Sequence, residues 1–586
     1  NPNPSHKGLT FHISTTDMNL DHIRKRAEAW TATPHDEDTI HAVKSMLSSE
    51  DTEALIEAFH QDLAFGTGGM RGIMGPGTNR MNAAVVAMAT QGLADYLAHH
   101  HSGDISVAIA HDSRHRSDEF TRVAAEVFAG NGIHAHVFPS LRPTPELSFA
   151  IRQLGCQAGI VVTASHNPKE YNGYKVYWGD GGQIVPPHDK GIIERVRAVE
   201  GLHAVRRAGS DSELIHLIGA HLDADYHATI AGHRISDQLI NEGSDLSIVY
   251  SPLHGTGAVS MAPALEQCGF RNVDVLAEQA TPDGAFPTVE SPNPEEASAL
   301  RMALERAEAT GAELVLATDP DSDRVGAAVR QASGRFRLLN GNELASLLVH
   351  YVLKSKADRG DIQEGDFVAR TVVTTRLISD IAAEFDVPVA ETLTGFKWIA
   401  AEIAEREGRG QFLVGGEESY GYLVGDEVRD KDAIAAAAMI AEMADVEWRK
   451  GRTLLDRLRD LHRHYGMYRE ALVSLKREGI SGAEEIRDMM AGFRTSPPAS
   501  LGGEQVVEVR DHLNGWNGLP PSNVVQFLTE GGALITARPS GTEPKIKFYF
   551  SVSQEWLESD AHGVVWEKLG ERIQRIGTDF GVQVSL

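Results

Sequence analysis

Three times the chain pairs two short apolar runs, each ending in a polar turn, with a helical stretch between them. The first runs are VAIAHDSRH (107–115), SIVYSPLHGTG (247–257) and FVARTVVTTR (367–376); the second are GIVVTASHNP (159–168), ELVLATDPDSD (313–323) and QFLVGGEESYG (411–421). Short β-branched runs bounded by turn residues predict buried strands, and their alternation with helices predicts α/β units that each deliver one loop to a common cleft. A chain of 586 residues is beyond one core, and about 150 residues per domain suggests roughly four domains. Near the C-terminus the rhythm changes, with VVQFLT and ALITARP alternating with loops. The expected fold class is α/β: three similar α/β domains with mixed sheets plus a C-terminal α+β domain, around a central cleft. The expected boundaries are 1–235 with an N-terminal helical extension, 236–335, 336–464 and 465–586, with the helical segment Thr453 to His464 as a hinge before the last.

Upstream, Leu20, Ile23, Ala27 and Trp30 fall on one helical face, and Ile40, Val43 and Leu47 repeat the pattern after Pro34. They predict helices packed on the first domain. Asn1 to Lys7 is polar and Pro-rich, the composition of a poorly ordered end, and the N-terminus lacks the basic region, apolar core and cleavage site of an export signal. No apolar run is long enough to span a bilayer, so no membrane association is expected. A formal net charge of −27 argues against nucleic acid as a partner, because phosphate backbones need a basic surface. It still allows a locally positive cleft for a small phosphorylated substrate. The two cysteines, Cys156 and Cys268, form neither a metal-type cluster nor a disulfide framework, which fits a reducing cytoplasm.

The loops carry the chemistry. GIVVTASHNPKEYN (159–172) presents the Ser165 hydroxyl at the carboxyl end of a strand, where open α/β sheets place their reactive groups. Taken alone, such a serine is most often a turn residue capping a backbone N–H. FGTGGMRG (65–72) could bring backbone N–H groups close to an anion, with Arg71 as a bidentate phosphate contact; a tight connection reads the same. Asp319, Asp321 and Asp323 occupy alternate positions after the run Leu314 to Leu316. In an extended segment these point the same way, so three carboxylates could converge on one hard divalent cation; a solvated acidic turn is the alternative. An EF-hand does not fit, since Arg324 and Arg330 stand where it needs Gly and Glu. GGEESYG (415–421) puts a carboxylate, suited to accepting from two sugar hydroxyls, on a turn that could equally be a surface hairpin. In ARPSGTEPKIKFYF (537–550), Ser540, Gly541 and Thr542 can form a backbone nest for phosphate oxygens and Arg538 a fork of donors, on what is otherwise a hairpin turn.

TASHNP, DPDSD, GEESYG and RPSGTEP occur here in the order of the four diagnostic loops of the α-D-phosphohexomutases, the phosphoglucomutase/phosphomannomutase superfamily, which the chain resembles from about Phe65 to its C-terminal domain. The resemblance implies a phosphoserine at Ser165, and Mg²⁺ held by Asp319, Asp321 and Asp323 with a phosphoserine oxygen at Ser165 as a further ligand. It implies that Glu417 and Ser419 grip the sugar 3- and 4-hydroxyls, and that Arg538, Ser540, Gly541 and Thr542 hold the non-transferring phosphate. LTGFKWI (393–399) is similar to the superfamily's specificity loop, which makes Thr394, Gly395 and Lys397 candidate substrate contacts. The loop ending in Arg71 is similar to one that opens the first domain. His166, by adjacency, and Lys175, which matches a family lysine, are candidates for general acid or base, and Arg324 for charge stabilisation beside the metal.

The activity so implied interconverts glucose 1-phosphate and glucose 6-phosphate through a phosphoserine enzyme and a bisphosphorylated sugar, with glucose 1,6-bisphosphate as activator and small sugar phosphates as the partners. Phosphomannomutase or phosphopentomutase activity on the same scaffold is the near alternative. The N-terminal helices and the length are similar to the bacterial phosphoglucomutase subgroup that includes phosphopentomutases. Two rivals belong to other classes. An aspartyl-nucleophile phosphatase would use the Asp321 to Val325 pattern, although Asp321 does not directly follow the apolar run; a non-catalytic sugar-phosphate-binding protein should have lost at least one catalytic loop, and none is eroded.

Overall fold

The computed structural model describes residues 20–32, 34–66, 68–477, 479–540, 545–557 and 561–585. The expected disorder and the absence of an export signal at the N-terminus concern residues outside these, as do Gly541 and Thr542. The first sheet contains β1 (Gly69–Ile73), β2 (Ser106–His111), β3 (His134–Val137), β4 (Ala158–Val162), β5 (Tyr171–Trp178) and β6 (Ile215–Leu217). The second contains β7 (Ile248–Ser251), β8 (Val273–Val275), β9 (Leu314–Thr318), β10 (Val325–Arg330) and β11 (Phe336–Leu339), and the third β12 (Phe367–Thr371), β13 (Val389–Thr392), β14 (Phe412–Gly416) and β15 (Tyr422–Val424).

The strand orders are β1-β5-β4-β2-β3-β6, β11-β10-β9-β7-β8 and β13-β12-β14-β15. One four-strand plan recurs. The two apolar runs of each unit become parallel neighbours, β2 with β4, β7 with β9 and β12 with β14. The second run then folds back antiparallel onto β5, β10 or β15, while β3, β8 or β13 lies parallel on the far side of the first. Strands β4, β9, β12 and β14 are buried at every residue. They read as unbroken apolar runs because both faces of such a sheet are covered. The alanine-rich helix Ala433–Trp448, capped by Asp432, is buried nearly throughout and packs against both β9–β10 and β15, locking the second and third sheets together.

The N-terminal helices Leu20–Glu28, Glu37–Ser48 and Glu53–Phe59 add Ile23, Ala27, Val43 and Phe59 to the core that contains Val86, Leu93 and Val107. The segment expected to be a hinge, at the end of the expected third domain, is a helix packed into the core. Helix Leu454–Tyr465 buries Leu454, Leu455, Leu458 and Leu461 in the shared core, and the chain leaves it at Gly466, φ 92°.

The last sheet is wholly antiparallel: β16 (Met467–Lys476), β17 (Ser500–Leu501), β18 (Glu504–Asp511), β19 (Val525–Thr529), β20 (Leu534–Pro539) and β21 (Lys545–Gln554), in the order β16-β21-β20-β19-β18-β17. Helices Gly479–Thr495 and His562–Asp579 complete a separate core around Phe527, Phe548 and Leu569. It meets the third domain at Tyr549 against Val372 and Val373, with Leu519 at the margin, at Tyr468 against the shared core, and through the His462 ring stacked with His562 and Trp566. Gln526 Nε2 adds a 3.0 Å hydrogen bond to the Val372 carbonyl. Among the described residues no helix is long and apolar enough to cross a membrane.

Candidate active site

Beyond the end of β4 the chain turns sharply and Ser165 takes a left-handed conformation, φ 52°. A non-glycine residue holds such a geometry only where its surroundings impose it. Here the Ser165 N–H donates to Thr163 Oγ1 at 2.8 Å, and one buried guanidinium cradles the loop. Arg114 donates to the carbonyls of Ser165 (2.5 Å), Pro168 (2.9 Å) and Tyr171 (3.0 Å), and also to that of Asn167. Asp112 anchors Arg114 from behind, 3.3 Å from its Nε. Sequence reasoning missed this pair. Its signal was the DSR inside the polar turn after the first apolar run.

The Ser165 hydroxyl, itself buried, donates to Asp319 Oδ2 at 2.8 Å and lies 3.2 Å from both Arg324 Nη1 and His166 Nδ1. Burial, then the positive charges of Arg324 and Arg71, pushes His166 well below the ordinary imidazole value, so it is neutral at neutral pH. Arg71 reaches the same loop, 2.9 Å from Asn167 Oδ1. Three of the glycines flanking it are required by packing. A Cβ on Gly69, φ 137°, would lie 2.0 Å from the Tyr174 carbonyl of β5, one on Gly68 2.5 Å from Gln183 and one on Gly72 2.8 Å from Leu63.

Asp319, Asp321 and Asp323 are all buried, with one carboxylate oxygen of each within 4.8 Å of the others. They converge for a reason other than strand alternation: β9 ends at Thr318, and 319–323 is a turn with Ser322 at φ 54°. Lys175 Nζ, on β5, contacts Asp321 Oδ2 at 2.7 Å and Asp323 Oδ2 at 3.2 Å, and Lys431 Nζ approaches Asp323 Oδ2 at 3.2 Å. Burial would lower the Lys175 ammonium, but Asp321 and Asp323 more than offset it and raise it. Burial, then Asp321 and Asp323, drives the Asp319 carboxyl well up. Asp323 goes down against burial because Lys431, Lys175 and Arg324 surround it. Asp321 Oδ1 and Asp323 Oδ1 are buried with no hydrogen-bond partner. Two orphaned carboxylate oxygens beside a third carboxylate fit a hard divalent cation. Thr144 pins this turn to the first domain, its N–H on the Asp321 carbonyl at 2.9 Å and its Oγ1 on Oδ2 at 3.0 Å.

The GGEESYG segment is a hairpin between β14 and β15, yet its tip is not a surface feature: Glu417 is buried and Ser419 half-buried. Glu417 Oε1 accepts the Gly395 N–H at 2.8 Å, which joins this loop to LTGFKWI. In that second loop Gly395 has φ 112°, Thr394 Oγ1 is buried without a partner, and Lys397 is half-buried with its ammonium 5.2 Å over the Trp398 ring. Glu418, pushed up to about 7 by burial and then by Glu417, is pulled the other way by Lys547 and Arg538. Lys431, also missed from sequence, links the centres: it pairs with Asp430 at 3.0 Å, and Asp430 accepts the Tyr177 hydroxyl at 2.7 Å. In the last domain Arg538 on β20 stands opposite Lys547 on β21, and the Ser540 N–H closes the hairpin on the Lys545 carbonyl at 2.7 Å.

Comparison with known proteins accords with these features. Three family models match: phosphoglucomutase/phosphomannomutase alpha/beta/alpha domain I over residues 62–202, domain II over 224–334 and domain III over 340–465. A phosphoglucomutase of Staphylococcus haemolyticus is 35% identical over 536 residues, 88% of this chain and 95% of its own. A protein of Schizosaccharomyces pombe named as a probable phosphoribomutase is 33% identical, covering 92% of this chain and 94% of its own. Among solved structures, Paramecium parafusin, a phosphoglucomutase in an open form, superposes with a TM-score of 0.66 at 18% identity, over 88% of this chain and 95% of that one; it bears on the fold alone.

Proposed function

Because the chain belongs to the phosphoglucomutase/phosphomannomutase family, we propose that it is a phosphoglucomutase, interconverting glucose 1-phosphate and glucose 6-phosphate through phosphorylated Ser165. One observation carries the reading: a strained, buried serine hydroxyl 2.8 Å from Asp319 and 3.2 Å from Arg324. Each domain gives one loop, with residues 1–235 supplying the serine, 236–335 the aspartates, 336–464 the sugar loop and 465–586 the phosphate loop.

In the first stage the phosphoryl group leaves Ser165 Oγ for a hydroxyl of the hexose monophosphate, which gives up its proton, and a bisphosphate results. The intermediate turns round and its other phosphate returns to Ser165. Such transfers depend on positioning and charge neutralisation. Arg114 orients the serine through its loop, while Arg324 and Arg71 stabilise charge on the moving group. His166 beside Ser165 and Lys175 beside the aspartates are the candidate proton carriers by position; the lowered imidazole is a weaker base and the raised ammonium a weaker acid than the free groups. Glu417 and Ser419 would hold equatorial hydroxyls, Thr394, Gly395 and Lys397 would line the same sugar, and Arg538, Ser540, Gly541 and Thr542 would hold the phosphate that stays. Mg²⁺ on Asp319, Asp321 and Asp323 would neutralise the phosphoserine and polarise its phosphorus, and glucose 1,6-bisphosphate would prime the enzyme. The buried free thiols of Cys156 and Cys268 suit the cytoplasmic setting that completes this reading.

A pentose phosphate is the second reading, favoured by the likeness to the S. pombe protein. The phosphatase reading has little support, since Asp321 is occupied by Thr144 and Lys175. Coupled assays on glucose 1-phosphate, mannose 1-phosphate and ribose 1-phosphate, each primed with its bisphosphate, decide among them. The highest kcat/KM is expected on glucose 1-phosphate, and net phosphate release without isomerisation would reject the mutase.

A further inference from the structure

Strands β3 and β6 form one edge of the first sheet, and three histidines stand together there. Side chains alternate along a strand, so His134 and His136 share a face, and the parallel register sets His136 directly opposite His216. All three imidazoles are half-buried, open to solvent yet held by their neighbours. His134 Nδ1 lies 2.9 Å from His216 Nε2. The His134 and His216 rings are 5.2 Å apart between centroids, as are those of His136 and His216, with interplanar angles of 17° and 30°.

Two nitrogens bound to one tetrahedral zinc ion at 2.0–2.1 Å are about 3.4 Å apart. The His134–His216 pair therefore needs only a slight opening to admit an ion. As placed, only the aspartate triad brings three ligand atoms within 4.8 Å of one another among the described residues, so the histidine site is completed by a rotation of the third imidazole. A His-x-His pair on one strand with a third histidine opposite it on the neighbouring strand starts all three side chains on the same face.

We propose that His134, His136 and His216 bind one transition-metal ion of the imidazole-preferring class, Zn²⁺ foremost, which staples β6 to β3. Three nitrogens and no carboxylate select Zn²⁺, Cu²⁺ or Ni²⁺ over Mg²⁺, whereas the aspartate triad offers only oxygen. The protein thus carries two sites that sort metals by ligand chemistry. The staple has a mechanical meaning: β6 is a three-residue edge strand that ends the long return of the chain from helix His188–Arg197. A metal bond across the edge adds to a short ladder that has a neighbour on one side alone.

The test is calorimetric titration of Zn²⁺ into protein without a histidine tag, kept in saturating Mg²⁺, for wild type, His216→Ala and His136→Asn. Wild type is expected to bind one equivalent that each substitution weakens by about tenfold or more, with Zn²⁺ raising Tm in wild type only and turnover in Mg²⁺ unchanged by the substitutions. Co²⁺ added to wild type should give visible bands of a nitrogen-ligated, low-coordinate ion. Zn²⁺ should also protect His134, His136 and His216 of the unmutated protein from diethyl pyrocarbonate, a readout that survives any folding defect in the variants. Equal Zn²⁺ affinity and stoichiometry in all three proteins, which would place the metal at other histidines such as His99 to His101, overturns the proposal. So does absence of binding, or of protection, in wild type.

Discussion

The Ser165 hydroxyl donates a 2.8 Å hydrogen bond to Asp319 Oδ2, and the two residues stand at the ends of strands in different sheets, β4 and β9. The proposed reaction centre therefore lies where the first two domains meet, and whatever fixes that junction would fix the geometry of transfer. Thr144, which binds the aspartate turn from the first domain, is the clearest such fixture.

Metal dependence follows. Chelation should abolish turnover and Mg²⁺ restore it. Thr144→Val, which removes the 3.0 Å bond to Asp321 Oδ2, should raise the Mg²⁺ concentration for half-activation about tenfold, as loss of a ligand-orienting partner usually does. Full activity after exhaustive metal removal would contradict the role given to the aspartates.

Arg114 should matter to both folding and rate. Arg114→Met strips four carbonyls of their donor and leaves Asp112 buried beside no cation, a change that costs about 3–5 kcal/mol where buried pairs are broken. Arg114→Lys keeps the charge without the fork, so in urea denaturation it should recover part of the stability. Its kcat should nevertheless remain about tenfold or more below wild type, by analogy with oriented groups displaced by a fraction of an ångström. Near-wild-type kcat in Arg114→Lys would show that the loop does not need the guanidinium.

Two buried histidines set an acid limit. Burial, then Arg457, lowers His350 to about 4, and burial, then His562, lowers His462 to about 3. Their folded pKa values lie below the unfolded value of about 6.5, so the unfolded chain takes up protons first as pH falls. Their contribution is complete above about pH 6.5 and is lost as pH drops through the folded values. The urea midpoint should fall less steeply from about pH 7 to about pH 4.5 in His350→Gln/His462→Gln than in wild type; equal slopes would contradict this.

The last domain should move. Its links with the third are scattered and largely polar: the Tyr549 patch, the Gln526 bond to Val372, Arg376 on the Gly532 carbonyl, the Tyr468 hydroxyl on Asp380, and the His462 ring stacked with His562 and Trp566. Polar interfaces within a chain permit relative motion. Closing over substrate held at Arg538 would exclude water from the phosphoserine. X-ray scattering should show compaction on adding glucose 1-phosphate, and Arg538→Ala should weaken both binding and compaction. An unchanged shape at saturating substrate, in protein that turns over, would refute closure.

Much of this was legible in the sequence because function and fold use the same local signal. Strands β4, β9 and β14 are buried on both faces, so they are visible as apolar runs, and each hands its chain to a loop of unusual composition. What was hidden depends on long-range approach. Thr144 and Asp321 are 177 residues apart, and Lys175 and Asp321 146; nothing local marks Thr144 or Lys431 as different from other polar turn residues, and Arg114 shows only as part of the DSR that follows the first apolar run. Backbone geometry was the other gap. The aspartates meet through a turn at Ser322 rather than along an extended segment, and Gly69 is required by the Tyr174 carbonyl.

The most direct test of the account is to ask where the phosphoryl group rides. Protein treated with isotopically labelled glucose 1,6-bisphosphate should gain one phosphate by intact mass, map it to Ser165, and lose it as labelled bisphosphate when glucose 1-phosphate is added. Ser165→Ala should take up no label and show no mutase turnover. Label on any other residue, or a Ser165→Ala protein with near-wild-type turnover, would contradict the mechanism.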